Sequence, residues 1–475
     1  MLLERYYNDA LAQASYLIGC EQSHDAIVID PNRDIERYVR AAAAHRMRIT
    51  FVTETHIHAD FLSGSRDLAR AARAALLLSG HGGDQWSYGF ADADGARLLR
   101  DGDTINVGNV RLDVLHTPGH TPEHIALLVT DTATGSAPMG MISGDFVFVG
   151  DVGRPDLLER AAKVAGTMED AARQLYGSLQ RLTQLPDHLQ VWPGHGAGSA
   201  CGKALGAVAQ STLGYERLYN PAFQQKTEAG FVRWVLADQP EAPPYFGVMK
   251  RLNRDGPPAR PANSSLPQLD ATGVETALDK DHWVVDVRGS QDFARAHVAG
   301  SINIPSGSKS FLTYAGAVLT YDRPTVIVAK SQEQAQSAIR ALALIGLDEV
   351  AGWAILDVLQ QIKSEGRRLG SVPTIEAQAL AKKLQGNGQT PRVIDVRGAS
   401  EWSEGHLPMA THIYLGGLAD RIADVKRDEP IVVHCESGTR SSIAASLLMS
   451  LGFSDVTNFA GGLTAWRKAG LPIEK

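Results

Sequence analysis

The chain has 475 residues, 44% of them hydrophobic and 21% charged, with a formal net charge of −7. That length exceeds one ordinary hydrophobic core and predicts two to four domains. The acidic balance without a basic block excludes a nucleic-acid binder, no run reaches the ~20 apolar residues of a membrane span, and Cys20, Cys201 and Cys435 are too few for a disulfide framework.

Strand and helix patterns alternate over the first 245 or so residues. Residues 26–30 read as a strand, 35–45 as a helix and 49–53 as the next strand. Thr55-His56-Ile57-His58-Ala59-Asp60 then projects from a loop at that strand's carboxyl end. Asp101-Gly102-Asp103 opens a run of short alternating segments, expected to be antiparallel strands. Thr117-Pro118-Gly119-His120-Thr121, Ser143-Gly144-Asp145 and Trp192-Pro193-Gly194-His195-Gly196 each follow a further predicted strand. Four strand ends bearing His or Asp form a pattern of metal ligation rather than of scattered, solvated histidines.

Gly256-Pro257-Pro258-Ala259-Arg260-Pro261 has the composition of a linker. Behind it the sequence repeats itself. Trp283-Val284-Val285-Asp286-Val287-Arg288-Gly289 matches Arg392-Val393-Ile394-Asp395-Val396-Arg397-Gly398, and Pro324-Thr325-Val326-Ile327-Val328 matches Pro430-Ile431-Val432-Val433. Each copy is about 100 residues of alternating strand and helix, which predicts a small parallel-sheet α/β domain. In the second copy a strand leads into Cys435-Glu436-Ser437-Gly438-Thr439-Arg440 and an apolar helical pattern over 443–451. A sulfur at a helix N-terminus, among backbone N–H groups and one arginine, is stabilised as a thiolate or an anionic adduct. The first copy has Ala329 at the aligned position and no matching arginine, so a scaffold or docking role is expected of it, with Asp286 and His297 structural.

The four strand-end motifs, over about 240 residues, resemble the metallo-β-lactamase superfamily. In its hydrolytic members the first motif ends in a further histidine, giving two metals; here the position after Asp60 is Phe61, whose ring cannot coordinate. The pattern resembles the persulfide dioxygenases within that superfamily. The resemblance implies His56, His120 and Asp145 as ligands of one Fe(II) per domain, with His58, Asp60 and His195 orienting ligands or water. Zinc is the alternative metal. Gly150-Asp151-Val152-Gly153-Arg154-Pro155-Asp156 resembles the family segment whose arginine holds the anionic thiol carrier, which makes Arg154 a candidate substrate-binding residue; the alternative is a surface arginine paired to Asp156. Glutathione-using members carry a tyrosine after the last histidine, whereas this chain reads His195-Gly196-Ala197-Gly198, so the carrier thiol stays open. Cys201 lies in a glycine-rich loop near Lys203, where a lowered thiol pKa is one expectation and an inert buried cysteine the other. The resemblance to fused dioxygenases, in which a cysteine here relays persulfide sulfur, implies a catalytic role. Cys20 is expected to pack.

The Cys435 loop, with Asp395-Val396-Arg397, Glu401, Gly405-His406 and Gly461-Gly462-Leu463-Thr464-Ala465-Trp466, resembles the rhodanese active domain. The resemblance implies that Cys435 carries sulfane sulfur as a persulfide, that Glu436, Ser437, Gly438 and Thr439 line the substrate, and that Arg440 braces the loop, through Glu401, or attracts an anionic sulfur compound. Four residues between Cys435 and Arg440 make a cradle suited to sulfur; related phosphatases have five.

The expected architecture is therefore multi-domain α/β: an αββα metallo-β-lactamase fold over 1–250, a linker over 251–268, an inactive rhodanese domain over 269–368 and an active one over 373–475. The expected function is sulfide and persulfide detoxification. A thiol persulfide would be oxidised by O2 to sulfite, with Cys435 linking persulfide and sulfite to thiosulfate. The alternatives are a glyoxalase II-type thioester hydrolase fused to a sulfurtransferase, and a non-catalytic sulfur carrier. The resemblance implies a homo-oligomer. The sparse, odd cysteine count and the lack of an apolar leader core point to the cytoplasm.

Overall fold

The computed structural model describes residues 1–160, 166–259, 266–386 and 390–475. The chain folds as two compact units, Met1–Arg260 with Leu344–Gly346, and Pro261–Ala343 with Leu347–Lys475. Among the described residues, no helix is long and apolar enough to cross a membrane.

In the first unit, β1 (Leu2–Asn8), β2 (Gln13–Cys20), β3 (Asp25–Ile29), β4 (Arg48–Thr53), β5 (Ala75–Ser79) and β6 (Arg97–Leu99) form one six-stranded sheet in chain order. A second sheet holds β7 (Thr104–Val107), β8 (Val110–His116), β9 (Ile125–Asp131), β10 (Gly140–Gly144), β11 (Gln190–Pro193) and β12 (Ser211–Thr212), again neighbour to neighbour. Ile18, Ile27, Leu77, Leu112, Leu127, Ile142 and Trp192 fill the space between the sheets. The outer face of the first sheet is covered by the helices Glu36–Ala44 and Ser65–Ala72, through Tyr38 and Leu68 against Val28 and Val52. The outer face of the second is covered by Met168–Arg181 and Glu228–Leu236, through Leu175, Leu179 and Phe231 against Met141. Covering on both faces explains why β2 is buried along its whole length instead of alternating. The result is the αββα arrangement. The segment expected to be linker from residue 251 begins as helix: Phe246–Asp255 extends into its start, because Phe246, Met249 and Asn253 recur on one buried face.

The second unit contains two four-stranded parallel sheets of the same topology. One has the order β14-β13-β15-β16, from β13 (Trp283–Asp286), β14 (Ile302–Asn303), β15 (Thr325–Val328) and β16 (Val350–Ala354). The other has the order β18-β17-β19-β20, from β17 (Arg392–Asp395), β18 (Thr411–His412), β19 (Ile431–His434) and β20 (Val456–Phe459). The copies share register: Asp286 faces Asn303 as Asp395 faces His412. They also share a brace. Arg288 forks onto Asp286 and donates to the Ala296 carbonyl, while Arg397 forks onto Asp395 and donates to the Gly405 carbonyl. The helix after Cys435 runs Thr439–Ser450, starting four residues ahead of the apolar pattern. Ser441 to Leu448 are all buried, so this helix has no solvent stripe in its middle.

Candidate metal centre and sulfur-carrying loop

β4, β8, β10 and β11 deliver their carboxyl ends to one place in the first unit. His56, His120 and Asp145 are buried, and one donor atom of each lies within 4.8 Å of the others. Asp145 Oδ2 is 3.4 Å from His120 Nε2 and 3.8 Å from His56 Nε2. Gly144, at φ +51, has Thr55 Oγ1 2.6 Å from where a Cβ would stand, so only glycine lets the chain turn Asp145 inward there.

The far nitrogen of each imidazole is pinned. His120 Nδ1–H donates to the Arg154 carbonyl at 3.1 Å. The Thr55 hydroxyl donates to Asp30 at 2.9 Å, so its oxygen accepts from His56 Nδ1–H, also at 2.9 Å. Both Nε2 lone pairs therefore point inward. Burial, reinforced by neighbouring imidazoles, drives His56 well below the usual imidazole range, and burial lowers His120 too. Burial opposes ionisation of Asp145, yet the surrounding imidazoles outweigh it and hold the carboxyl below its ordinary range. Neutral imidazoles beside an ionised carboxylate are the donor set a divalent cation requires. Both Asp145 oxygens are buried without a hydrogen-bond partner, an arrangement that a cation resolves. The three residues fit a metal.

Asp60, His195 and Cys201 form a second buried group of the same tightness. His195 Nδ1–H donates to the Ala12 carbonyl at 2.9 Å, and its Nε2 is 3.3 Å from Asp60 Oδ2 and 3.5 Å from Asp145 Oδ1. His58 turns to Asp30 at 3.0 Å; burial works against its protonation, but that carboxylate raises it to about 9. Phe61 is fully buried with its ring 4.4 Å from that of His58.

Two expectations are corrected. Cys201 has no lowered thiol pKa: burial, followed by Asp145 and Asp60, pushes it well above the ordinary value, and Lys203 donates to the Trp234 carbonyl instead. Arg154 is neither a surface residue nor open to a ligand. It is fully buried, forks onto Asp156 at 2.8 and 2.7 Å and donates to the carbonyls of Ala200 and Pro240, which uses four of its five N–H donors. Its carbonyl, not its charge, touches the centre, through His120.

Sequence reading missed three supports. Asp30 accepts from the Thr55 N–H and hydroxyl and meets His58, Glu123 accepts the Ile57 N–H at 2.7 Å, and His124 accepts the Asp145 N–H. The available signals were the position of Asp30 at the end of β3 and of Glu123 and His124 just behind His120.

In the second unit, Cys435 is buried at the end of β19. The Gly438 N–H donates to its sulfur at 3.1 Å, and Ser441 Oγ is 3.7 Å away. Gly438 has φ +108 and its Cβ position lies 2.1 Å from the Ala460 carbonyl, so the loop closes only with glycine. The N–H groups of Leu463 and Thr464 hold the carbonyls of Cys435 and Glu436. Arg440 forks onto Glu401 at 2.5 and 2.7 Å. Glu436 meets Thr464, Arg467 and Arg397; Ser437 is exposed, and Thr439 begins the helix. Ala329 is buried in the first copy, where Gln334 donates to the Val287 carbonyl and Ser306 and closes the loop.

A family model described as the metallo-beta-lactamase superfamily matches residues 8–195, and one described as the rhodanese-like domain matches 270–353 and 376–469. A solved metallo-beta-lactamase from Staphylococcus aureus is 39% identical, with a TM-score of 0.67, covering 75% of this chain and 99% of that one. A sulfurtransferase from Allochromatium vinosum is 31% identical over 22% of this chain and 94% of its own length. The mitochondrial persulfide dioxygenase ETHE1 of Bos taurus is 25% identical over 46% of this chain and 75% of its own. A hydroxyacylglutathione hydrolase from Polaromonas sp. is 32% identical over 41% of this chain, which spans 66% of that relative.

Proposed function

The chain belongs to the metallo-beta-lactamase superfamily in its first half and carries rhodanese-like domains in its second, and from that premise we propose that it oxidises a low-molecular-weight persulfide to sulfite and exchanges sulfane sulfur through Cys435. The observation that carries the reading is the buried set of His56, His120 and Asp145, with two inward lone pairs and an orphaned carboxylate, in a chain that also holds a loop-cradled thiol. Bound there, a ferrous ion would supply the one-electron chemistry that lets O2 react with a closed-shell sulfur. The balance is RSSH + O2 + H2O → RSH + SO3²⁻ + 2H⁺, in which the outer sulfur loses four electrons to O2.

The chain's own groups do the rest. The Arg154 carbonyl and Thr55 fix the imidazoles, His124 fixes Asp145, and Phe61, Phe146 and Phe148 are buried hydrophobic groups around the histidines. At the second site the Cys435 thiolate attacks the outer sulfur of RSS⁻, forming Cys435–S–S⁻ and releasing RS⁻. Sulfite then takes that sulfur, giving thiosulfate and restoring the thiolate. The Gly438 N–H, which donates to Cys435 Sγ at 3.1 Å, would stabilise the thiolate that attacks and that sulfite restores. Joining the two activities in one polypeptide raises the local concentration of the sulfite they share.

The similarity to the hydroxyacylglutathione hydrolase favours a second reading, thioester hydrolysis. Phe61 in place of a ligand argues against it. The deciding experiment is O2 uptake by anaerobically purified, Fe(II)-loaded protein given glutathione persulfide or coenzyme A persulfide. Stoichiometric uptake that His120→Ala abolishes supports the oxygenase. No uptake at full iron occupancy, with hydrolysis of a glutathione thioester, would overturn it. Sulfite yield that is identical in wild type and Cys435→Ser would remove the coupling.

A further inference from the structure

The first rhodanese-like copy has no cysteine, yet its β14 packs against the helix Thr439–Ser450, whose start forms the Cys435 loop. That helix is buried from Ser441 to Leu448 because its own strands β19 and β20 cover one side and β14 another. The contact is polar. Ser442 Oγ–H donates to Asn303 Oδ1 at 3.0 Å, and the Asn303 backbone N–H donates to Ser446 Oγ at 2.9 Å. The amide of Asn303 is held in turn, its Nδ2 donating to the carbonyls of Asp286 and Arg288 at 3.0 Å each. Those two carbonyls leave the amide one orientation, with Oδ1 towards Ser442. Asn303, Ser442 and Ser446 are all buried.

Ser442 follows Ser441, which donates to the Gly438 carbonyl and whose hydroxyl lies 3.7 Å from the Cys435 sulfur. The first turn of the helix thus stands between the sulfur on one side and Asn303 on the other. In the second copy the residue at the register position of Asn303 is His412, which meets the Arg397 carbonyl and the Trp402 ring, both of its own copy.

We propose that Asn303 is a positioning residue for Cys435: through Ser442 and Ser446 it fixes the helix whose first turn places the Gly438 N–H on the sulfur, and this is what the cysteine-free copy contributes to sulfur transfer. The proposal rests on the reading of Cys435 as the sulfur carrier. Misplacing a helix N-terminus by a fraction of an ångström weakens the hydrogen bond to the developing sulfur anion more than it weakens donor binding.

The test is steady-state sulfur transfer from thiosulfate to cyanide by the full chain. The variants are Asn303→Ala, Ser442→Ala and the double substitution, with thermal unfolding measured alongside. The expected result is a kcat about ten-fold lower in each single variant, with KM for thiosulfate unchanged and the double variant no worse than either single. Ser442→Ala removes one hydroxyl, so it gives an answer should Asn303→Ala not fold. Full kcat in the folded variants, losses that multiply in the double, or a change confined to KM would each overturn the proposal. A wild-type chain without Cys435-dependent transfer would remove the premise, and that result is distinguishable because Cys435→Ser then matches wild type.

Discussion

His124 accepts the backbone N–H of Asp145 at 3.1 Å through Nε2, and its Nδ1–H is spent on Thr117 Oγ1 at 2.8 Å. Burial drives this imidazole well below its usual range, so it is held neutral, as an acceptor must be. It therefore anchors the chain at the residue whose carboxylate has both oxygens orphaned.

His124→Phe keeps a ring of similar width and removes the acceptor. We expect metal affinity to fall about 10–100-fold while the protein stays folded. Chelator competition reads this directly; unchanged affinity would show that Asp145 needs no such anchor.

Arg154→Ala strips a buried guanidinium from Asp156 and from the carbonyls of Ala200 and Pro240. The expected cost is about 3–5 kcal/mol of stability, read as a lower denaturant midpoint of the first unit. A folded variant of wild-type midpoint with a raised KM for the persulfide would return the arginine to substrate binding.

Glu401→Gln leaves Arg440 without its carboxylate fork. The pair is part-exposed, at 19% and 35% of side-chain surface, so solvent screening limits the stability loss to about 1 kcal/mol. The larger expected effect is on sulfur transfer, because the loop around Cys435 loses its brace. Transfer at the wild-type rate would show that Arg440 acts without Glu401.

His297 donates from Nδ1 to the Phe293 carbonyl and stacks on the Phe293 ring, and burial lowers its pKa to about 4. Its folded value lies below the unfolded one of about 6.5. The stability it contributes is therefore complete above about pH 6.5 and is lost as pH falls towards 4, by about 3 kcal/mol in all. Denaturant midpoints of wild type and His297→Gln between pH 7 and about pH 4 should converge as pH falls; parallel curves would refute the assignment.

The sequence by itself was enough for the local matters. Strand-end histidines, the Cys435 loop and the repeat behind the linker are contiguous motifs, and a motif whose partners lie within a few residues is legible without a fold. β3, β4 and the helix Glu36–Ala44 followed from hydrophobic periodicity for the same reason. Only the tertiary structure decided what lies between distant segments. It turned Arg154 inward to Asp156, Ala200 and Pro240, and it set Cys201 beside Asp60 and Asp145, where burial raises rather than lowers its thiol. It also recruited Asp30, Glu123 and His124 beneath the centre and brought Asn303 of one copy against Ser442 of the other, 139 residues away. A side chain's charge and reactivity are set by the atoms that surround it after folding, and those atoms come from parts of the chain that sequence spacing does not connect.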